Sequence, residues 1–549
     1  MSLPESRDWL FRRATLHLAG RPPLRPGALL VKEGRIAWLG PDGEAPTPPP
    51  GAEVFDLAGA TLLPGFQDSH LHPFIGATDL VECRLEPDDG PEACARKVAA
   101  YAAAHPDRRL LRGSGWGYGA FPPTGPRREI LDAVVPDLPV FLKANDGHSA
   151  WVNSAALRLG GITRDTVPPT GGVIGHDPAT GEPTGVLREW PAMLLVADHF
   201  PLPGHDEMLE GGRLFLAGAA RCGLTAIHDA QGKDPHPELW QTLERRGELT
   251  VRVSASRRLH HAKGVAQLDD LRAAVERHRS PLFRFTSAKV FLDGVVEGNT
   301  AFLLEPYANR PDTRGEPMWA SVTHLAEMTA DLGRIGLPIH VHAVGDAAVR
   351  FTLDAIEAAQ ALGTDPGLRH QITHADLVDP ADRPRFARLG VIANLQPAWF
   401  CRDSSYARIT LPGLGPERAG RLYALASLLR LGTRVACSTD WPFMGDRVDL
   451  SPLNSIRTAI LRRSVGQPPG EELNPAEAVD LPTMLDLHTL GSAYANFREA
   501  ETGSLEVGKL ADLVALDRDL HATPTEDLHL ARPVLTLLGG RPVWREPGR

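Results

Sequence analysis

Thr61-Leu62-Leu63-Pro64-Gly65-Phe66-Gln67-Asp68-Ser69-His70-Leu71-His72 is the stretch from which the fold is read. Thr61-Leu62-Leu63 has the apolar run of a short buried strand, and Pro64-Gly65 re-aims the chain beyond it. Histidines at i and i+2 of an extended segment face the same side, so His70 and His72 can reach one metal ion. Asp68 stands where a carboxylate can take an imidazole N–H and fix which ring nitrogen faces the metal. A lone His-x-His also fits two polar strand-end side chains, so the rest of the chain decides.

Outward from this stretch, eight strand-like runs recur, at 62–66, 224–228, 250–255, 286–292, 337–342, 370–374, 391–396 and 434–438. Helical stretches such as 346–362 and 417–431 lie between them. Eight such units predict an α/β chain built on a (β/α)8 TIM-like barrel. About 150 residues separate the first two strands, far more than a βα loop needs. Residues 80–203 are therefore read as an inserted lid or substrate subdomain over the barrel mouth. Residues 61–79 hold the first strand and its motif, and residues 204–500 the remainder of the barrel. The two ends, 1–60 and 501–549, share short alternating runs and turns, which predicts a composite β-sandwich assembled from both termini.

The 549 residues are 42% hydrophobic and 23% charged, as in an ordinary globular protein. A net charge of −10 leaves no basic footprint, which argues against nucleic acid or an anionic membrane as partner. No apolar run approaches the ~20 residues that span a bilayer. The opening residues lack a basic segment followed by an apolar core, so no secretory signal is expected. Five scattered cysteines without Cys-x-x-Cys spacing read as thiols in a reducing compartment, and cytoplasm is the expected location.

Barrel active sites form at the C-terminal ends of the strands. Those ends here carry His70 and His72 on the first strand, His342 on the fifth, His374 on the sixth and Asp440 after the eighth. Lys289 lies within the fourth, where apolar flanks make an unpaired ammonium costly. His340 shares the strand face of His342, and spacing leaves the choice between them open. Asp440 also fits the N-cap of a following helix.

These segments resemble the amidohydrolase superfamily of metal-dependent hydrolases, in its amidohydrolase-3 or YtcJ-like branch. The carrying motifs are Pro64 to His72, Lys289 to Gly294, His342-Ala343-Val344-Gly345-Asp346, Thr373-His374-Ala375 and Ser438-Thr439-Asp440-Trp441-Pro442. Asp146 to Asn153, Pro183 to Glu189 and Gly503 to Leu513 also match. The resemblance covers essentially the whole chain. It implies that His70, His72, His342 and His374 are metal ligands, with Asp440 a ligand or adjacent to one. Lys289 matches the lysine that, in binuclear relatives, carries a CO2-derived carboxylate between two ions. One or two divalent ions are implied, zinc first, with manganese, iron and nickel as the other candidates.

The implied reaction is hydrolysis of a non-peptide C–N bond, in an amide, formamide or cyclic amide, by a metal-activated hydroxide. Asp440 is the expected general acid/base, and His148 the expected oxyanion donor. Substrate contacts are expected from Trp116, in the glycine-rich run Gly115 to Phe121, and from Asp293, Glu297, Gln396 and Trp441. In many relatives a Ser-Leu-Gly-like run follows Asp-Gly. Here Val295-Val296-Glu297-Gly298 follows, so Glu297 is an extra carboxylate that either meets substrate or is solvated. The expected partner is a small-molecule substrate, with a homodimer the commonest closed assembly. An ester or lactone hydrolase, a non-hydrolytic lyase or isomerase, and a non-catalytic barrel are the competing readings.

Overall fold

The computed structural model describes residues 7–86, 89–122, 124–144, 147, 149–169, 172–201, 203–403, 406–443 and 450–548. The described residues divide into two compact units, one within 7–72, 216–443 and 450–548, the other within 73–215.

In the first unit, among the described residues, eight strands pair in parallel and in chain order. They are β1 (Phe66–Leu71), β2 (Leu224–Asp229), β3 (Arg252–Arg258), β4 (Phe283–Phe291), β5 (Ile339–Ala343), β6 (Gln371–His374), β7 (Ile392–Leu395) and β8 (Val435–Cys437). The register runs unbroken from β4 to β5, where Lys289 lies opposite His340, and from β5 to β6, where Ala343 lies opposite His374. Bonds between residues just past β8 and β1 all but close the cylinder. The Asp440 N–H donates to the His70 carbonyl at 2.9 Å, and the His72 N–H to the Trp441 carbonyl at 2.7 Å. Every side chain of β1 is buried, as expected for a strand covered on both faces.

The first barrel strand differs from the sequence reading. Thr61–Pro64 is a strand of another sheet, in which Leu62 lies opposite Ala515 and Leu16. The barrel strand starts one residue after Gly65. A Cβ on Gly65 would lie 2.2 Å from the Thr225 side chain, so the changeover between sheets needs glycine. A run such as Thr61-Leu62-Leu63 satisfies any buried strand, and only its partners decide which sheet it joins. The predicted helix at 417–431 is likewise two helices, Leu411–Ala419 and Leu425–Arg430.

The sheet containing Thr61–Pro64 draws strands from both ends of the chain, in hydrogen-bonded continuity from Arg541–Arg545 through Leu513–Leu516 to Arg35–Pro41. Trp9, Phe11, Leu62, Leu513 and Leu535 share its core. Arg252 of β3 donates two hydrogen bonds to Asp512, at 2.7 and 3.0 Å, tying this sheet to the barrel through a buried pair.

Among the described residues, the second unit has its own six-stranded sheet. Its core holds Trp116, Phe121 and Trp151 edge to face, with ring centroids 5.8 and 5.4 Å apart. Trp116 is fully buried there, and its indole N–H donates to the Leu142 carbonyl at 2.9 Å. That corrects the expectation of a substrate contact from Trp116 in this glycine-rich run. The alternating Trp116-Gly117-Tyr118 texture ends a strand, Leu111–Trp116, that packs inward.

Candidate metal centre

β1 brings Asp68, His70 and His72 to one face, since side chains alternate along a strand. Past β8 the backbone at Asp440 takes a positive φ of 58°, and at the end of β6 His374 and Ala375 do the same at 75° and 46°. Non-glycine residues rarely adopt this region, and strain of this kind gathers where side chains are aimed at a function.

The aiming is visible in the distances. Asp440 Oδ1 lies 3.2 Å from His70 Nε2 and 3.3 Å from His72 Nε2. These three buried groups offer ligand atoms that all lie within 4.8 Å of one another. The rings of His70 and His374 are 5.2 Å apart, and those of His374 and His342 are 4.5 Å apart. Lys289 places Nζ 3.4 Å from His70 Nε2 and 4.9 Å from the Phe291 ring. The structure thus brings together His70, His72, Lys289, His342, His374 and Asp440 at one end of the barrel. His148 lies outside the described residues.

Hydrogen bonds select one nitrogen on three of these rings. Gln396 Oε1 lies 2.9 Å from His374 Nδ1, which leaves Nε2 available. The Gly294 carbonyl lies 3.1 Å from His342 Nε2, which leaves Nδ1. His70 Nδ1 meets His340 Nε2 at 2.6 Å, which leaves Nε2 toward Asp440. Fixing the second nitrogen in this manner orients an imidazole for metal binding. Asp68 plays a different part from the one expected of it. It accepts from the backbone N–H of His70 at 3.1 Å and from Thr439 Oγ1 at 2.6 Å.

Gln396 is therefore an orienting group rather than a substrate contact, with its amide nitrogen donating to Ser438 Oγ at 2.7 Å. Asp293 is corrected likewise. Its two oxygens accept from the backbone N–H groups of Val344, Gly345 and Phe302 at 2.9–3.0 Å. Trp441 is buried at 4% exposure. Glu297 is exposed. Trp399 stacks on His374 with centroids 5.5 Å apart. The sequence reading missed the polar floor of Ser69, Asn394 and Ser438, in which both hydroxyls donate to Asn394 Oδ1 at 3.1 and 2.7 Å. Polar residues inside strands otherwise buried on both faces were the available signal.

Burial dominates the electrostatics. It lowers the Lys289 ammonium to about 7, opposed by Asp440 and assisted by Arg258. It lowers His342 to about 3, with Lys289 adding to the effect, and holds His70 and His374 well below the ordinary histidine range. It raises the carboxyls of Asp68 and Asp293 to about 7. Neutral imidazoles and an Asp440 oxygen without a hydrogen-bond partner among the described residues form a donor set suited to a divalent cation. The residues fit the metal that the resemblance implies.

A parallel barrel with imidazoles and a carboxylate converging at its C-terminal end defines the class of metal-dependent barrel hydrolases. The amidohydrolase family model matches residues 53–544, and the chain belongs to that family. The "Putative amidohydrolase YtcJ" of Bacillus subtilis is 30% identical over 513 residues, covering 90% of this chain and 91% of that protein. N-substituted formamide deformylase of Arthrobacter pascens is 28% identical, covering 98% of each chain. The crystal structure of an uncharacterized metal-dependent hydrolase from Pyrococcus furiosus superposes with a TM-score of 0.72 at 26% identity. It covers 93% of this chain and 99% of that one. No helix among the described residues is long and apolar enough to cross a membrane.

Proposed function

We propose that this enzyme hydrolyses a non-peptide C–N bond in a small amide, formamide or cyclic amide, with N-substituted formamides the first class to examine. The observation that carries the reading is the convergence of His70 Nε2, His72 Nε2 and Asp440 Oδ1 within 4.8 Å. The near full-length similarity to a formamide deformylase supports the substrate class.

His70, His72 and Asp440 would hold one divalent ion, zinc by donor chemistry, with Lys289, His342 and His374 positioned to hold a second. Such an ion supplies Lewis acidity toward the carbonyl and makes bound water acidic at neutral pH. Asp440 takes a proton from the attacking water and returns it to the departing nitrogen, so that the amine leaves neutral. Gln396 and the Gly294 carbonyl hold His374 and His342 in place throughout. Burial favours a neutral Lys289 amine, the form that adds CO2 to give a carbamate. His148 is assigned the oxyanion role by resemblance.

Elemental analysis of protein purified without chelator in bicarbonate buffer tests the metal reading. About two ions per chain supports a carboxylated Lys289, and about one supports a mononuclear site with Lys289 unmodified. Formate release from N-substituted formamides tests the substrate class. Metal-loaded enzyme that hydrolyses esters or lactones but no amide or formamide overturns it.

A further inference from the structure

We infer that His340 is a positioning residue that selects the metal-facing nitrogen of His70, and that it is not itself a ligand. The inference rests on the metal site proposed above and goes beyond it. His340 is fully buried on β5, the strand that also carries His342, and its Nε2 lies 2.6 Å from both His70 Nδ1 and Thr373 Oγ1. An imidazole Nε2 offers one in-plane lone pair or one hydrogen, so these two contacts share a single position. Its Nδ1 has no hydrogen-bond partner among the described residues, and its ring packs 4.8 Å from His228. Among the described residues, the hydrogen bond that links His340 to the His70–His72–Asp440 group runs through His70 Nδ1.

Two nitrogens 2.6 Å apart share a single hydrogen, and its location decides what His70 can do. With the hydrogen on His70 Nδ1, Nε2 keeps its lone pair toward Asp440 Oδ1, 3.2 Å away, where it can bind a cation. With the hydrogen on His340 Nε2, a neutral His70 carries its own hydrogen on Nε2 and cannot be a ligand. A metal at His70 therefore needs His340 as acceptor, with the His340 hydrogen on Nδ1. An imidazole acceptor also differs from the carboxylate that often supports a ligand histidine, because it brings no charge and leaves His70 a weaker base. The i, i+2 pair on β5 thus divides its labour: His342 faces the site with one nitrogen, and His340 stands one layer deeper behind His70.

The test is zinc affinity of the full-length chain, measured by competition with a chromogenic chelator, for wild type, H340L and H340Q. Leucine removes the acceptor, whereas the glutamine amide oxygen can reach the place of Nε2. H340L is expected to bind zinc ~10–100-fold more weakly, the usual effect of losing such a support. H340Q is expected to recover most of that loss, and the cobalt-substituted variants to keep the wild-type absorption spectrum. Equal loss in both variants, no loss in H340L, or a changed cobalt spectrum overturns the inference. If H340L does not fold, nitrogen-15 histidine spectra of the zinc-loaded wild type decide, since an unprotonated His70 Nδ1 overturns it and a protonated one bonded to His340 supports it. Wild type that binds no zinc overturns the metal site and this inference together. Zinc binding that is indifferent to position 340 overturns the inference alone.

Discussion

Thr439 Oγ1 donates a 2.6 Å hydrogen bond to Asp68 Oδ2, joining the segment after the last barrel strand to the first. The same hydroxyl oxygen accepts from the Trp441 N–H at 3.1 Å, so one side chain braces both sides of Asp440. T439V keeps the shape and deletes these bonds inside a buried seam. It should cost about 1–3 kcal/mol, read as a lower denaturation midpoint. It should also weaken zinc binding, because Asp440 loses its support. An unchanged midpoint together with unchanged zinc affinity would show that the seam does not set the site.

Asp440 and the histidines around it should separate under mutation. H70A and H374A each remove an imidazole from the cluster, and both metal content and turnover should fall together. D440N keeps an oxygen near His70 and His72 but loses the basic carboxylate. Metal should largely remain while turnover falls ~10²–10⁴-fold, the usual contribution of a general acid/base. Metal analysis beside rate measurement on the same preparation checks both, and D440N with normal turnover sinks the proton-transfer role.

The barrel was legible in the sequence because eight apolar runs alternate with helical stretches, a pattern few other folds share. Residue types at strand ends pointed to His70, His72, His342, His374 and Asp440, and the structure gathers them. What sequence could not reveal was partnership. Leu62 and Leu63 suit a barrel strand as well as the terminal sheet, and only pairing with Ala515 and Val514 assigns them. Asp68, two residues from His70, was expected on its ring. A carboxylate at i−2 on a strand lies a full layer below, though, and there it meets Thr439 instead. Gln396 and Asp293 looked exposed to substrate because their polarity was read without their hydrogen bonds. Polar groups in a buried layer are almost always spent on the protein itself.

Asp293 offers a prediction of its own. Its carboxyl gathers the N–H groups of Val344 and Gly345, just past His342, and of Phe302 in the loop after β4. D293A would leave two buried and one half-buried backbone donor without that acceptor, at a cost of about 3 kcal/mol or more. Hydrogen exchange should then accelerate at Phe302, Val344 and Gly345. Metal content should fall with it, because the turn that aims His342 is released. Unchanged exchange at these three amides would show that the clasp is dispensable.

His370 supplies a pH-dependent prediction away from the metal centre. It precedes β6 at the end opposite His374, and its Nδ1 accepts the Ile339 N–H at 3.1 Å. Burial pushes its pKa from 6.5 down to about 4. The unfolded chain therefore binds a proton at this residue before the folded chain does. Stability from this group is fully present above pH 6.5 and is lost as pH falls toward 4, by about 3 kcal/mol across the whole window. H370N can retain an acceptor for the Ile339 N–H but does not titrate. Its stability deficit against wild type should shrink by about 2 kcal/mol between pH 7.5 and pH 5, read from paired unfolding midpoints. Other buried histidines titrate in the same window, but they are present in both proteins and cancel in the difference. A deficit that stays constant, or widens, on acidification would mean that His370 is not held neutral in the folded chain.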